Sequence, residues 1–193
     1  MVGILVSRVH DLFNNPSLRS LLLKARKPLG LLACALLISQ INPDWFLPGV
    51  LVSVAGALLQ LWCFGSLKTN KILADRGPYS LVRNPMYLAR YLLIFGAILF
   101  TGNVWIVLLY SLGYYFYMVN RVQREEKKLG SVFGQTYLDY CARVQRFVPS
   151  LRHFKWTRIW FFRWEFFMRN HGLTNLAVVF VFYGVCYYFA FTR

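Results

Sequence analysis

The sequence predicts an all-α membrane protein with about five transmembrane helices, and three observations lead to this fold class. Hydrophobic residues make up 58% of the chain and charged residues only 15%, whereas a soluble domain carries about 25% charged residues. Long apolar runs recur, without the period-two alternation that is typical of strands. Basic residues gather between alternate runs, as they do in the cytoplasmic loops of membrane proteins. Residues 1–193 are predicted to form a single membrane domain.

Five apolar segments are candidates for the spanning helices. A helix needs about 17–25 residues to cross the hydrocarbon core, and the second and fifth segments reach this length unaided. The first reaches it by recruiting residues 21–23, while the third and fourth must extend into flanking residues or lie near an interface. The segments are residues 29–41, 50–67, 86–100, 104–119 and 173–191.

The connections and the charges predict how these segments are arranged. Thr101-Gly102-Asn103 alone joins the third and fourth segments, which predicts an antiparallel helical hairpin. Asn42-Pro43-Asp44 predicts another tight turn between the first and second segments. In a five-span arrangement, all Lys and Arg residues except Arg193 fall on one side. This distribution predicts a cytoplasmic amino terminus, in a membrane that the sequence does not identify.

Residues 151–170 combine aromatic and basic side chains at high density. This composition is typical of a helix that lies in the headgroup layer, and a plain connector would not need it. We therefore predict an interfacial helix over residues 151–170, followed by a C-terminal transmembrane helix over residues 173–191.

Two partner classes are not expected. The formal net charge of +15 would suit nucleic acid, but its distribution is already explained by membrane topology. The four cysteines and three histidines are scattered and form no C-x-x-C motif, so no metal site is expected.

Residues 75–87 are too rich in specific residue types for a simple loop. Gly77-Pro78 marks a turn, and Pro85 suits the first position of a helix. A helix start offers backbone N–H groups and a positive dipole end, which favour a bound carboxylate. Arg83 and Asn84 lie at that helix start. A helix cap with interfacial anchors is the alternative interpretation.

Residues 121–129 contain Glu125 and Glu126, two of only seven acidic residues in the chain. Arg121 and Glu125 are four residues apart and therefore share a helix face. They could form a solvated ion pair, or a carboxylate and a guanidinium that bind a ligand, and the spacing alone does not decide between the two.

Five motifs follow one another between residues 73 and 149: Gly-Pro-Tyr, Arg-x-Pro-x-Tyr, Glu-Glu-x-x-Leu, Phe-Gly-x-x-Tyr-x-x-Tyr and Val-x-Arg-x-x-Pro. This ordered set resembles the isoprenylcysteine carboxyl methyltransferase family, and the related phospholipid N-methyltransferases share much of it. The resemblance implies S-adenosylmethionine as the methyl donor and S-adenosylhomocysteine as the product. It places the cofactor in a cytoplasm-facing pocket between the two stretches, so residues 73–149 form the methyltransferase motif region.

The resemblance also implies roles for single residues. Arg121 stands at the family's basic position before the Glu pair and would face the acceptor, while Glu126 is the candidate base if the acceptor is an amine. The family usually has His where this chain has Asn84, and asparagine donates a hydrogen bond but does not titrate. The residues implied to contact the cofactor are Leu73, Tyr79, Asn84, Pro85, Met86, Tyr87, Glu125 and Glu126.

The leading hypothesis is an integral membrane methyltransferase that acts on a lipid or prenylated acceptor, small molecule or protein. Methylation of an isoprenylcysteine-type carboxylate is favoured, with phosphatidylethanolamine N-methylation and thiol methylation as alternatives. Further alternatives are a membrane NADPH reductase and a non-enzymatic membrane protein.

Overall fold

The structure is a computed structural model that describes residues 2–68, 72–149 and 155–192. This part of the chain is helical and has no strand, which confirms the all-α prediction there. In chain order, the elements are α1 (Val2–Asn14), α2 (Pro16–Ser39), α3 (Pro43–Ser66), a 3-10 helix (Gly77–Ser80), α4 (Pro85–Leu99), α5 (Val104–Phe133), α6 (Gln135–Arg143), α7 (Trp156–Ile159), α8 (Trp164–Arg169) and α9 (Gly172–Phe191).

The predicted apolar segments correspond to helices that are mostly longer than the segments. Helix α2 begins at Pro16, so it includes residues 21–23, and the Asn15 side chain caps it by accepting hydrogen bonds from two backbone N–H groups. Helix α5 continues far beyond its apolar part. Among the described helices, α3 and α9 have the length and apolar composition needed to cross a membrane, and α4 is a shorter apolar helix. The five-span arrangement stays a prediction.

Both predicted turns are present, at the same end of the helices. The Asn103 side chain caps α5 by accepting hydrogen bonds from the backbone N–H groups of residues 105 and 106. Gly102 has a positive φ of 61°, which glycine adopts without steric cost. The backbone N–H of Asn42 donates to the carbonyl of Phe100 at 2.7 Å, so the two turns are tied together.

Small residues bring α3 and α4 into close contact. A Cβ atom on Gly56 would lie 2.5 Å from the backbone nitrogen of Leu93, and one on Gly49 would lie 2.5 Å from the carbonyl oxygen of Gly96. Between them, the Ser53 hydroxyl donates to the carbonyl of Leu93 at 2.9 Å. Close approach through small residues is typical of helix pairs in membranes, and here it fixes the position of α4, on which the site is built.

The aromatic and basic stretch differs from the predicted interfacial helix. Residues 150–154 lie outside the described residues, and the remainder of residues 151–170 forms the two short helices α7 and α8. Between them, the carbonyl of Phe161 accepts hydrogen bonds from Trp62 Nε1 at 3.2 Å and Ser66 Oγ at 2.9 Å. These contacts with the end of α3 take the place of the hydrogen bond that would continue a helix.

Candidate active site

The start of α4 lies at the centre of the residues that the motifs identify. Pro85 is buried and occupies the first helical position, where its fixed φ suits the helix. Asn84 precedes it, and in the described structure the Asn84 side chain makes no capping hydrogen bond. Pro85 has no N–H, and the Tyr87 N–H donates to the Asn84 carbonyl at 3.2 Å. The Met86 N–H, at the positive end of the helix dipole, is therefore the first-turn group that can bind an anion.

Tyr87, Arg121 and Glu125 form a hydrogen-bonded chain between α4 and α5. Arg121 Nε donates to Glu125 Oε1 at 3.0 Å and to the Tyr87 hydroxyl at 3.3 Å. The hydrogen bond with Tyr87 raises the pKa of Arg121, so this residue stays cationic. The Tyr114 hydroxyl donates to the carbonyl of Tyr87 at 2.7 Å, which holds the two helices together at this level.

Glu125 and Arg121 have further capacity to bind a ligand. Their side chains are 42% and 44% exposed, and the hydrogen bond between them engages only Oε1 of the carboxylate. A half-exposed carboxylate beside an aromatic hydroxyl can bind a ligand cation, and the neighbouring guanidinium can bind a ligand anion.

Glu126 occupies a different environment, because its side chain is only 10% exposed. Oε1 accepts a hydrogen bond from Asn84 Nδ2 at 3.2 Å and lies 3.6 Å from Arg83 Nε. Oε2 accepts from Arg146 Nη2 at 2.6 Å. Glu126 therefore joins three parts of the chain: the residues before α4, helix α5 and the segment after α6.

Two hydrogen-bond donors near Glu126 lack an acceptor in the described part of the chain. They are the buried Nε–H groups of Arg83 and Arg146. The backbone N–H of Arg83 donates to the carbonyl of Gln145 at 2.9 Å, so these two arginines belong to adjacent, connected segments. Buried polar groups are usually satisfied, and these two donors could satisfy an anionic ligand group.

Tyr79 and Leu73 contact the α6 region. The Tyr140 hydroxyl donates to the carbonyl of Tyr79 at 2.7 Å, and Leu73 packs against a buried cluster that contains Tyr137, Tyr140 and Val144. Burial raises the pKa of Tyr79 and of Tyr140 well above the usual tyrosine value. Both hydroxyls therefore stay protonated near neutral pH and act as hydrogen-bonding groups.

The structure thus brings most of the predicted site residues together at the α4–α5 contact. Met86 lies in the first turn of α4, where its sulfur accepts a hydrogen bond from Arg90 Nη2 at 3.4 Å. From the sequence alone, Arg146 has no predicted role, and Arg83 is predicted only to lie near the helix start. Both are arginines of the motifs themselves, so the motif spacing already contained the signal for them.

No group of three or more His, Cys, Asp or Glu side chains that could hold a metal ion occurs among the described residues.

The family comparison covers this site. Residues 48–136 match the family model for phospholipid methyltransferases. The protein-S-isoprenylcysteine O-methyltransferase of Schizosaccharomyces pombe is 33% identical over 86 residues, which are 44% of this chain and 36% of that protein. Over this region the chain is similar to phospholipid methyltransferases and to this isoprenylcysteine O-methyltransferase. The resemblance identified from the motifs is therefore confirmed, although Arg146 lies beyond the region that the family model matches.

A second relative is the cobalt-zinc-cadmium resistance protein CzcN of Cupriavidus metallidurans, which is 28% identical over 124 residues, or 63% of this chain. The chain spans 56% of the length of that relative and 36% of the yeast enzyme. No solved structure matches the chain.

Proposed function

We propose that this chain is an integral membrane methyltransferase that uses S-adenosylmethionine and acts on a lipid-like acceptor, in the first place an isoprenylcysteine-type carboxylate. The observation that carries this proposal is the hydrogen-bonded group beside the start of α4, in which the half-exposed Arg121 and Glu125 lie against the buried Tyr87. This group lies within the region that matches the methyltransferase family.

The charges at the site fit those of the proposed cofactor. S-adenosylmethionine carries an ammonium, a carboxylate and a sulfonium. Glu125 can bind the ammonium, and Tyr87, which is 6% exposed, can contact the cofactor through its hydroxyl. The start of α4, with the buried donors of Arg83 and Arg146, can bind the carboxylate. The other proposed cofactor contacts are Leu73, Tyr79, Asn84, Pro85, Met86 and Glu126.

When bound, S-adenosylmethionine supplies an electrophilic methyl group, and S-adenosylhomocysteine leaves as the product. The task of this chain's residues is then to position the acceptor and to exclude water. A carboxylate acceptor is nucleophilic without losing a proton, and the Arg121 guanidinium can orient it.

The surroundings of Glu126 favour a carboxylate acceptor over an amine. An ammonium must lose a proton before it can attack, so amine methylation needs a base. Both oxygens of Glu126, the candidate base, are engaged by Asn84 and Arg146. The match with phospholipid methyltransferases supports amine methylation as a second candidate, which the acceptor assay below separates from the first.

We propose that the chain spans the membrane five times, with its amino terminus and the site on the cytoplasmic side. The asymmetric distribution of basic residues supports this orientation, and the cytoplasm is also where the cofactor is available.

The test is a methylation assay on the full chain in lipid vesicles with radiolabelled S-adenosylmethionine. Three acceptors are compared: N-acetyl-S-farnesylcysteine, phosphatidylethanolamine and a small thiol. We expect base-labile methyl ester in the farnesylcysteine fraction. Label in phosphatidylethanolamine or the thiol would overturn the carboxylate assignment, and the absence of label from all fractions would overturn the proposed activity.

The site assignment is tested separately by calorimetry with S-adenosylhomocysteine. Because Glu125 provides a charge-assisted contact, we expect Glu125→Gln to weaken binding by roughly tenfold or more. Glu165→Gln is the matched control, since Glu165 is an exposed acid that pairs with arginines on and next to α8. Equal affinity of the two variants would show that the assignment of Glu125 is wrong.

A further inference from the structure

Helix α4 contains one charged residue, Arg90, in an otherwise apolar sequence. It lies five residues after Pro85, which places it about 7–8 Å along the helix axis from the start of α4. Its side chain is exposed. A guanidinium at this depth in an apolar helix is costly unless a polar or anionic group accompanies it.

The Arg90 side chain contacts the first turn of its own helix. Its Nη2 atom donates to Met86 Sδ, one turn nearer the helix start, at 3.4 Å. Its charge also lowers the pKa of Tyr79 in the 3-10 helix, against the larger effect of burial, which raises that pKa. The guanidinium is therefore beside Met86, which is proposed to contact the cofactor.

The other arginines at the site already have carboxylate partners. Arg121 pairs with Glu125 at 3.0 Å, while Arg83 and Arg146 both face Glu126. Arg90 makes no ion pair with any residue that the structure describes. Its charge is therefore fully available to an external anion, whereas Arg121 shares its charge between Glu125 and any acceptor that it orients.

We propose that Arg90 binds the anionic group of an amphiphilic acceptor, a carboxylate or a phosphate, next to the methyl-donor site. The inference rests on the proposed function and adds a specificity-determining residue to it. An anion bound by Arg90 lies one turn deeper along α4 than Met86. The apolar tail of the acceptor can then extend along the exposed face of α4, where Ile94 follows Arg90 by one turn and is 44% exposed.

Binding of charged and uncharged forms of the same amphiphile tests this proposal. N-acetyl-S-farnesylcysteine and its methyl ester form the carboxylate arm, and lysophosphatidic acid and the matching monoacylglycerol form the phosphate arm. The affinity of each is measured by calorimetry on the full chain in detergent, with S-adenosylhomocysteine present. The variants are Arg90→Gln, Arg90→Lys and Arg19→Gln. Arg19 is an exposed arginine of α2, and Arg19→Gln has the same net charge as Arg90→Gln.

We expect the wild type to prefer one anionic amphiphile over its uncharged partner by roughly ten- to a hundredfold, as for a charge-assisted contact. Arg90→Gln should remove this preference, Arg90→Lys should restore part of it, and Arg19→Gln should keep it. The arm that shows the preference identifies the anion as carboxylate or phosphate. A preference that survives in Arg90→Gln, or a wild type without preference in either arm, would overturn the proposal.

The affinity for S-adenosylhomocysteine separates this inference from the proposed function. Arg90→Gln should bind S-adenosylhomocysteine as the wild type does, which also shows that the variant is folded. An equal loss of cofactor and amphiphile affinity would place Arg90 in the cofactor site and contradict its role in acceptor selection. A wild type that binds no S-adenosylhomocysteine and transfers no methyl group would instead refute the proposed function.

Discussion

Replacing Glu126 with glutamine tests whether this residue holds the site together or acts as a base. The substitution keeps the shape of the side chain and removes its charge. Glutamine can still accept the hydrogen bond from Asn84, but its interactions with Arg83 and Arg146 lose their ionic character. Because these residues come from three segments of the chain, the loss should weaken the folded state.

The expected magnitude follows from burial. Glu126 is 10% exposed and Arg83 is 15% exposed, whereas Arg146 is 41% exposed. Hydrogen bonds to charged groups contribute about 1.5–3 kcal/mol, and solvent screening at Arg146 reduces this value. We expect the free energy of unfolding to fall by about 1–2 kcal/mol. For a chain of this size, that corresponds to a Tm lower by roughly 2–8 °C.

Thermal unfolding of the purified variants measures this change, and Glu125→Gln is the comparison. The ion pair of Glu125 is half exposed and spans one helical turn, so its loss should cost about 0.3–0.5 kcal/mol. The two variants should therefore differ in opposite ways: Glu126→Gln loses more stability, and Glu125→Gln loses more affinity for S-adenosylhomocysteine. A Glu126→Gln variant with wild-type Tm and methyl transfer reduced by a factor of about 100 or more would refute the reasoning and indicate a base.

Two further results are expected. Gly56→Ala should lower the free energy of unfolding by about 1–3 kcal/mol, because the new Cβ would lie 2.5 Å from the Leu93 nitrogen. Gly113→Ala is the control in the same unfolding assay. A Cβ at Gly113 would have no atom within 4 Å, so this variant should be neutral or slightly stabilising. Burial raises the pKa of Tyr79 and of Tyr140, so the unfolded chain loses these protons at a lower pH than the folded chain. The Tm should therefore fall as the pH rises above about 10. In Tyr140→Phe the Tm should fall less steeply with pH, because one of the two titrating groups is removed.

The sequence was sufficient to predict the apolar parts of α2, α3, α4, α5 and α9 and the turn between α4 and α5, since apolar runs and Asn and Gly signals determine them locally. The C-terminal end of α5 was harder to predict from the sequence. The apolar pattern stops at Val119, yet the helix continues to Phe133, because the following polar residues are good helix formers. It ends at Gly134, whose φ of 52° is favourable for glycine.

Contacts between distant segments were not predictable from local patterns. Arg146 follows Glu126 by 20 residues, and the two meet only because the chain turns at Gly134 and returns along α6. The break between α7 and α8 has a similar origin. The carbonyl of Phe161 accepts hydrogen bonds from Trp62 and Ser66, about 95–100 positions earlier in the chain. Local helix propensity contains no information about such distant partners.

The different environments of two adjacent acids follow from helix geometry. Neighbouring residues in an α-helix are about 100° apart around its axis, so Glu125 and Glu126 cannot share a face. Glu125 lies four residues after Arg121 on the face that contacts Tyr87, whereas Glu126 points toward Arg83 and Arg146. A pair of consecutive acids on one continuous helix can thereby serve two functions. One carboxylate stays half exposed for a ligand, while its neighbour is only 10% exposed and fixes the start of α4 against which that ligand would bind.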